Sequence, residues 1–124
     1  MSKILIVEDD LNSKRVYKEI FEDAGFEVDT AKDGEIGLEK AKAGGYSVIL
    51  LDIMLPKLDG LGLLAALQKN PPEVKNGPII VLSNLSHDPV IKEAMTLGAK
   101  AHITKSDFSP DELLEKVKSY ILND

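Results

Sequence analysis

Hydrophobic positions along the chain follow two rhythms. Ile4-Leu5-Ile6-Val7, Val48-Ile49-Leu50-Leu51 and Ile79-Ile80-Val81-Leu82 are uninterrupted aliphatic runs. Runs of this length predict strands buried on both faces. Phe26 to Ala31 alternates apolar and polar, which predicts a strand nearer a sheet edge, and Lys100 to Thr104 predicts a last short strand. Between these runs the apolar spacing turns helical. A first helix is expected from about Asn12 to Ala24, with Val16, Ile20 and Phe21 facing the core and Gly25 as its stop. Asp33 can cap a second, with Ile36, Leu38 and Ala41 inward and Gly44-Gly45 ending it. Gly60 to Lys69 carries Leu61, Leu64 and Leu67 on one face. Asp88-Pro89 opens a fourth helix that runs to Leu97 and stops at Gly98. Ser109-Pro110-Asp111-Glu112 is a capping box, opening a final helix with Leu113, Leu114, Val117 and Ile121 inward.

Five strands alternating with five helices predict an α/β fold of parallel βαβ units with right-handed crossovers. The pattern does not give the strand order. It does place the residues that follow each strand along one edge of the sheet, where open parallel sheets carry their sites. Those residues are Glu8, Asp9 and Asp10 after the first strand, Asp52 after the third, Ser83 after the fourth and Lys105 after the fifth.

Length and composition narrow what that edge can do. With 124 residues the chain holds one core, expected as a single domain over residues 1–124 with no output domain. A net charge of −6 argues against direct nucleic-acid binding, which needs clustered Lys and Arg. The absence of cysteine removes disulfides, thiolate chemistry and thiolate zinc sites. No stretch approaches the ~20 apolar residues of a membrane span, and the N-terminal apolar run is too short for a signal peptide. A cytoplasmic protein without membrane contact is the simplest expectation.

Taken singly, each edge residue has an ordinary explanation: acids at a helix start favour the dipole, and most lysines are solvated. Taken together they do not. Like charges ~4 Å apart at an effective dielectric near 20 repel by roughly 4 kcal/mol. A cation is expected among them, and oxygen-only ligands suit Mg²⁺. Lys105 adds a fixed positive charge and Ser83 a hydroxyl. A metal, an ammonium and a hydroxyl around one carboxylate make a phosphoryl site in which the carboxylate oxygen attacks in line. His87 and His102 show no ligand spacing and are expected to be surface or packing residues.

Ile4-Leu5-Ile6-Val7-Glu8-Asp9, Leu51-Asp52-Ile53-Met54-Leu55-Pro56 with Asp59-Gly60, Val81-Leu82-Ser83 and Lys105 together resemble the response-regulator receiver domain of two-component signalling. The resemblance covers essentially the whole chain. It implies the flavodoxin-like (βα)5 sheet with strand order 2-1-3-4-5. It implies Asp52 as phosphoacceptor, taking its phosphoryl group from the phosphohistidine of a histidine kinase or phosphotransfer protein. By the same resemblance Glu8, Asp9, Asp52 and the backbone carbonyl of Met54 would hold Mg²⁺. Ser83 stands for the switch hydroxyl, Lys105 for the phosphoryl-binding lysine, and His102 for the rotating aromatic switch residue. The family catalyses its own phosphorylation and slow dephosphorylation, and is no conventional enzyme.

The resemblance also implies a switched surface formed by the fourth helix, fifth strand and fifth helix, for a downstream protein or a homodimer. Because burying an imidazolium is costly, activation through His102 is expected to weaken at low pH. Two positions depart from the family pattern. Ser106 follows Lys105 where proline after a cis bond is usual, and a cis bond before a non-proline residue costs ~2.5–4 kcal/mol. Asn84 follows Ser83 where a small residue is usual, so it is expected either to crowd the phosphoryl pocket or to offer it another donor. The competing readings are a receiver-like module that only binds partners, a Mg²⁺-dependent phosphohydrolase and a flavodoxin. Glu8-Asp9-Asp10 would repel a flavin phosphate, and Asp52-Ile53-Met54 lacks the second Asp of an Asp-x-Asp hydrolase.

Overall fold

The computed structural model describes residues 2–84 and 88–122. Five parallel strands pair in the order β2-β1-β3-β4-β5. They are β1 (Lys3–Val7), β2 (Glu27–Ala31), β3 (Val48–Leu51), β4 (Ile79–Ser83) and β5 (Ala101–Thr104). The helices between and after them are α1 (Leu11–Asp23), α2 (Gly34–Ala43), α3 (Gly60–Lys69), α4 (Asp88–Thr96) and α5 (Pro110–Leu122). The expected alternation and strand order are both present. A short 3-10 turn over Lys105–Asp107, which apolar spacing could not reveal, follows β5. His87 lies outside the described residues.

The aliphatic runs are strands because both of their faces are covered. Leu5, Val7, Ile49, Leu51 and Val81 point to one face, where Ala41, Leu63, Leu64, Leu67 and Ala94 of α2, α3 and α4 pack. Ile4, Ile6, Val48, Leu50, Ile80 and Leu82 point to the other, against Phe21 of α1 and Leu113 and Val117 of α5. The two-residue period of a strand sorts alternate side chains to these two cores.

Local chemistry sets the helix starts. Asp10, Asp33 and Asp59 accept from the backbone N–H groups of Ser13, Ile36 and Gly62, each three residues on. The capping box is reciprocal: Ser109 N–H donates to Glu112 Oε1 at 2.8 Å, and Glu112 N–H to Ser109 Oγ at 3.2 Å. One inward assignment needs correction. Val16 is 40% exposed, and Tyr17 packs against the core in its place. Helical phase on α1 is set by Phe21, and four residues before it on the same face comes Tyr17, not Val16.

Candidate functional site

The sheet order puts a topological switch point between β1 and β3, since the chain turns to β2 on one side and to β4 and β5 on the other. Asp52 N–H donates to Val7 O at 3.0 Å, the last rung between those strands, and Glu8 N–H donates to Ala31 O at 3.0 Å. Glu8 and Asp52 are therefore adjacent strand-end residues. Both are inside the protein, at 2% and 9% exposure. One carboxylate oxygen from each of Glu8, Asp9 and Asp52 can be chosen so that all lie within 4.8 Å of one another. Asp10, the fourth acid of the run's neighbourhood, turns away as the exposed cap of α1.

Lys105 reaches across from the end of β5. Its Nζ donates to Glu8 Oε1 and, at 3.2 Å, to Asp52 Oδ2. Asp52 Oδ1 accepts from Met54 N–H at 3.3 Å. The ammonium is thus held between two buried carboxylates. Burial by itself would lower its pKa, but the bonds to Glu8 and the charge of Asp52 outweigh burial and raise it. One ammonium does not satisfy both acids. Glu8 Oε2 is buried with no hydrogen-bond partner among the described residues. Its carboxyl is pushed up to about 7, first by burial and then by the facing Asp52, against the opposing pull of Lys105. A buried carboxylate oxygen with no donor, beside two further carboxylates, is what a hard cation would satisfy. The donor set therefore fits Mg²⁺.

Asp52, Met54, Ser83, Asn84 and Lys105 line an open cavity of about 240 Å³. Ser83, at the end of β4, is 2% exposed. His102 lies on β5 opposite Val81; it is half-buried, with Nε2 enclosed and no partner for it among the described residues. Burial lowers its pKa. All of the expected site residues converge on one edge except His102, which sits back along β5.

Sequence reasoning missed what supports the loop after Asp52. Lys57, at φ 69°, pairs with buried Asp33 at 3.8 Å, and Gly34 N–H donates to Pro56 O at 3.3 Å. Gly60 N–H donates to Ile53 O at 2.8 Å. These ties run between segments distant in sequence, and only Asp33 and Gly60 left a local trace, as a helix cap and a helix start. The peptide bond before Ser106 is trans, there being no cis bond among the described residues.

A five-stranded parallel sheet with a carboxylate cluster and a lysine at its switch point defines an open α/β protein whose site lies beyond its strand ends. Residues 4–118 match the family model described as "Response regulator receiver domain". The response regulator ArlR of Staphylococcus saprophyticus is 36% identical over 121 residues, covering 98% of this chain and 53% of ArlR. The chemotaxis protein CheY of Treponema pallidum is 34% identical over 122 residues, covering 96% of this chain and 82% of CheY. The receiver domain of the Francisella response regulator 1452 superposes with a TM-score of 0.84 at 32% identity, covering 99% of this chain and 98% of that one. The chain belongs to the response-regulator receiver family, the receiver domains of two-component signalling. It spans about half the length of ArlR and of the DltR regulator of Streptococcus agalactiae. No helix among the described residues is long and apolar enough to cross a membrane.

Proposed function

We propose that Asp52 accepts a phosphoryl group from a phosphohistidine of a histidine kinase or phosphotransfer protein. Oxygen of the Asp52 carboxylate attacks phosphorus, the P–N bond breaks, and the imidazole leaves with the electron pair. The observation that carries this reading is the position of Asp52. It is a mostly buried carboxylate at the rim of the cavity, held on one oxygen by Lys105 and on the other by Met54 N–H. Lys105 and the Ser83 hydroxyl neutralise and hold the equatorial phosphoryl oxygens. Glu8, Asp9, Asp52 and the Met54 carbonyl would hold Mg²⁺, which supplies further charge neutralisation for those oxygens. Water later hydrolyses the acyl phosphate, which makes the modification a timed signal.

The added charge draws Ser83 toward the phosphoryl group, and the space it leaves is offered to His102. The responding surface is α4, β5 and α5, where Met95 of α4 is 42% exposed. It would meet a downstream protein or a second copy of the chain. A small acyl or amido phosphate with Mg²⁺ should add one phosphoryl group to the wild type by intact mass and none to Asp52→Asn. The same gain in Asp52→Asn would remove Asp52 as the acceptor.

A further inference from the structure

We infer that Asn84 is a positioning residue for the phosphoryl site, acting through the backbone of Ser106. The inference rests on Asp52 being the acceptor. Asn84 Oδ1 accepts from Ser106 N–H at 2.9 Å. The two residues belong to different loops: Asn84 follows Ser83 at the end of β4, and Ser106 follows Lys105 at the end of β5. Pairing between these strands stops at Ser83 and Thr104. Asn84 carries the connection past that point with a side-chain oxygen in place of a backbone one.

The need for such an acceptor is visible in the turn itself. Ser106 lies in the first turn of a 3-10 helix, where backbone N–H groups lack an intrahelical partner. Thr104, at the capping position, makes no side-chain cap bond. Asn84 therefore caps this turn from another element. Two of the side chains that face Asp52 across the cavity, Ser83 and Lys105, are each one residue away from this bond. The bond exists because residue 106 has an N–H to give; proline there would have none. It also accounts for the larger residue at 84. The Asn84 oxygen is engaged by the neighbouring turn, so its first effect on the cavity is to fix the spacing of the walls.

Beryllium fluoride with Mg²⁺ forms a tetrahedral anion on a carboxylate and serves as the probe. Its affinity is measured by calorimetry for the wild type, Asn84→Ala, Ser106→Pro, the double variant and Asp52→Asn, alongside melting temperatures. Each single variant should bind roughly three- to tenfold more weakly, the size of one net hydrogen bond. The double variant should be no weaker than the worse single, because both remove the same bond. A purely structural role would lower the melting temperature and leave the affinity alone. Additive losses, or an unchanged affinity in Asn84→Ala, overturn the inference. Should Ser106→Pro fail to fold, hydrogen exchange at the Ser106 amide decides: it should quicken in Asn84→Ala and stay slow in Asn84→Asp, which keeps the acceptor. Unaltered exchange in Asn84→Ala overturns the inference. If wild type and Asp52→Asn respond to the probe alike, the acceptor reading itself fails, whereas binding lost only in Asp52→Asn removes Asn84 alone.

Discussion

Gly60 shows how little room there is beside Asp52, the proposed acceptor. A Cβ at this position would lie 2.6 Å from Asp52 O and 2.8 Å from Ile53 Cα. Both are backbone atoms, so neither can swing aside as the end of a flexible side chain would. Gly60→Ala must force the start of α3 and the Asp52-Ile53 backbone apart, which displaces the Asp52 carboxylate. Overpacking of this kind costs about 1–3 kcal/mol, and an acceptor displaced by ~1 Å can lose on the order of a hundredfold in rate. Denaturant unfolding and the initial rate of phosphorylation by a small donor should both fall. Wild-type values for the two would mean that the loop after Asp52 gives way more readily than its hydrogen bonds to α2 and α3 suggest.

At the scale of elements, β5 is where the strand's packing and titration meet. His102 lies beside Val81 of β4, with its Nε2 enclosed and without a partner among the described residues. Burial favours the neutral imidazole and lowers its pKa from the ordinary 6.5. The folded state then binds fewer protons than the unfolded chain between the lowered value and 6.5. Stability from this group is complete above about pH 6.5 and is lost as pH falls from there toward the folded value. Wild type should lose stability relative to His102→Phe between pH 8 and pH 5.5, read as the difference in urea midpoints. Parallel pH dependence in the two proteins would place the imidazole in water instead. In the activated state proposed above, the same proton would oppose an inward His102, so the proposed output face of α4, β5 and α5 should respond less at the lower pH.

Across the whole molecule, folding gathers the acids that repel one another. Glu8 and Asp9 follow β1, Asp52 follows β3, and Lys105 follows β5; the sheet brings them together over a sequence separation of 97 residues between Glu8 and Lys105. The lysine stabilises this arrangement, yet leaves Glu8 Oε2 without a donor and the Glu8 carboxyl raised to about 7. A cation that binds only the folded site should stabilise the protein by mass action, by about 2.7 kcal/mol at a hundred times its dissociation constant. The melting temperature should therefore rise with Mg²⁺ over a chelator control, and the rise should be lost in Glu8→Gln and Asp52→Asn. An equal rise in all three proteins would place the stabilising ion elsewhere.

Much of this was legible along the chain because strand burial and helix capping are local codes. Three four-residue aliphatic runs specified the central strands, and Asp33 and the Ser109–Glu112 pair marked helix starts by chemistry acting over three residues. Every charged residue of the site could be named as following a strand, and the end of a strand is where a parallel sheet exposes its edge. Pairing between strands, by contrast, is a property of backbone groups that all residues share, so apolar spacing carries no strand order. Order 2-1-3-4-5 came from resemblance and is decided in space by which strands exchange hydrogen bonds. Only the tertiary structure separated Asp10, a solvated cap, from Glu8, two residues away and buried. The bond from Asn84 to Ser106 and the pairing of Lys57 with Asp33 were likewise decided there, because contacts across 22 and 24 residues depend on where two chain segments are brought to rest and leave no periodic trace in either.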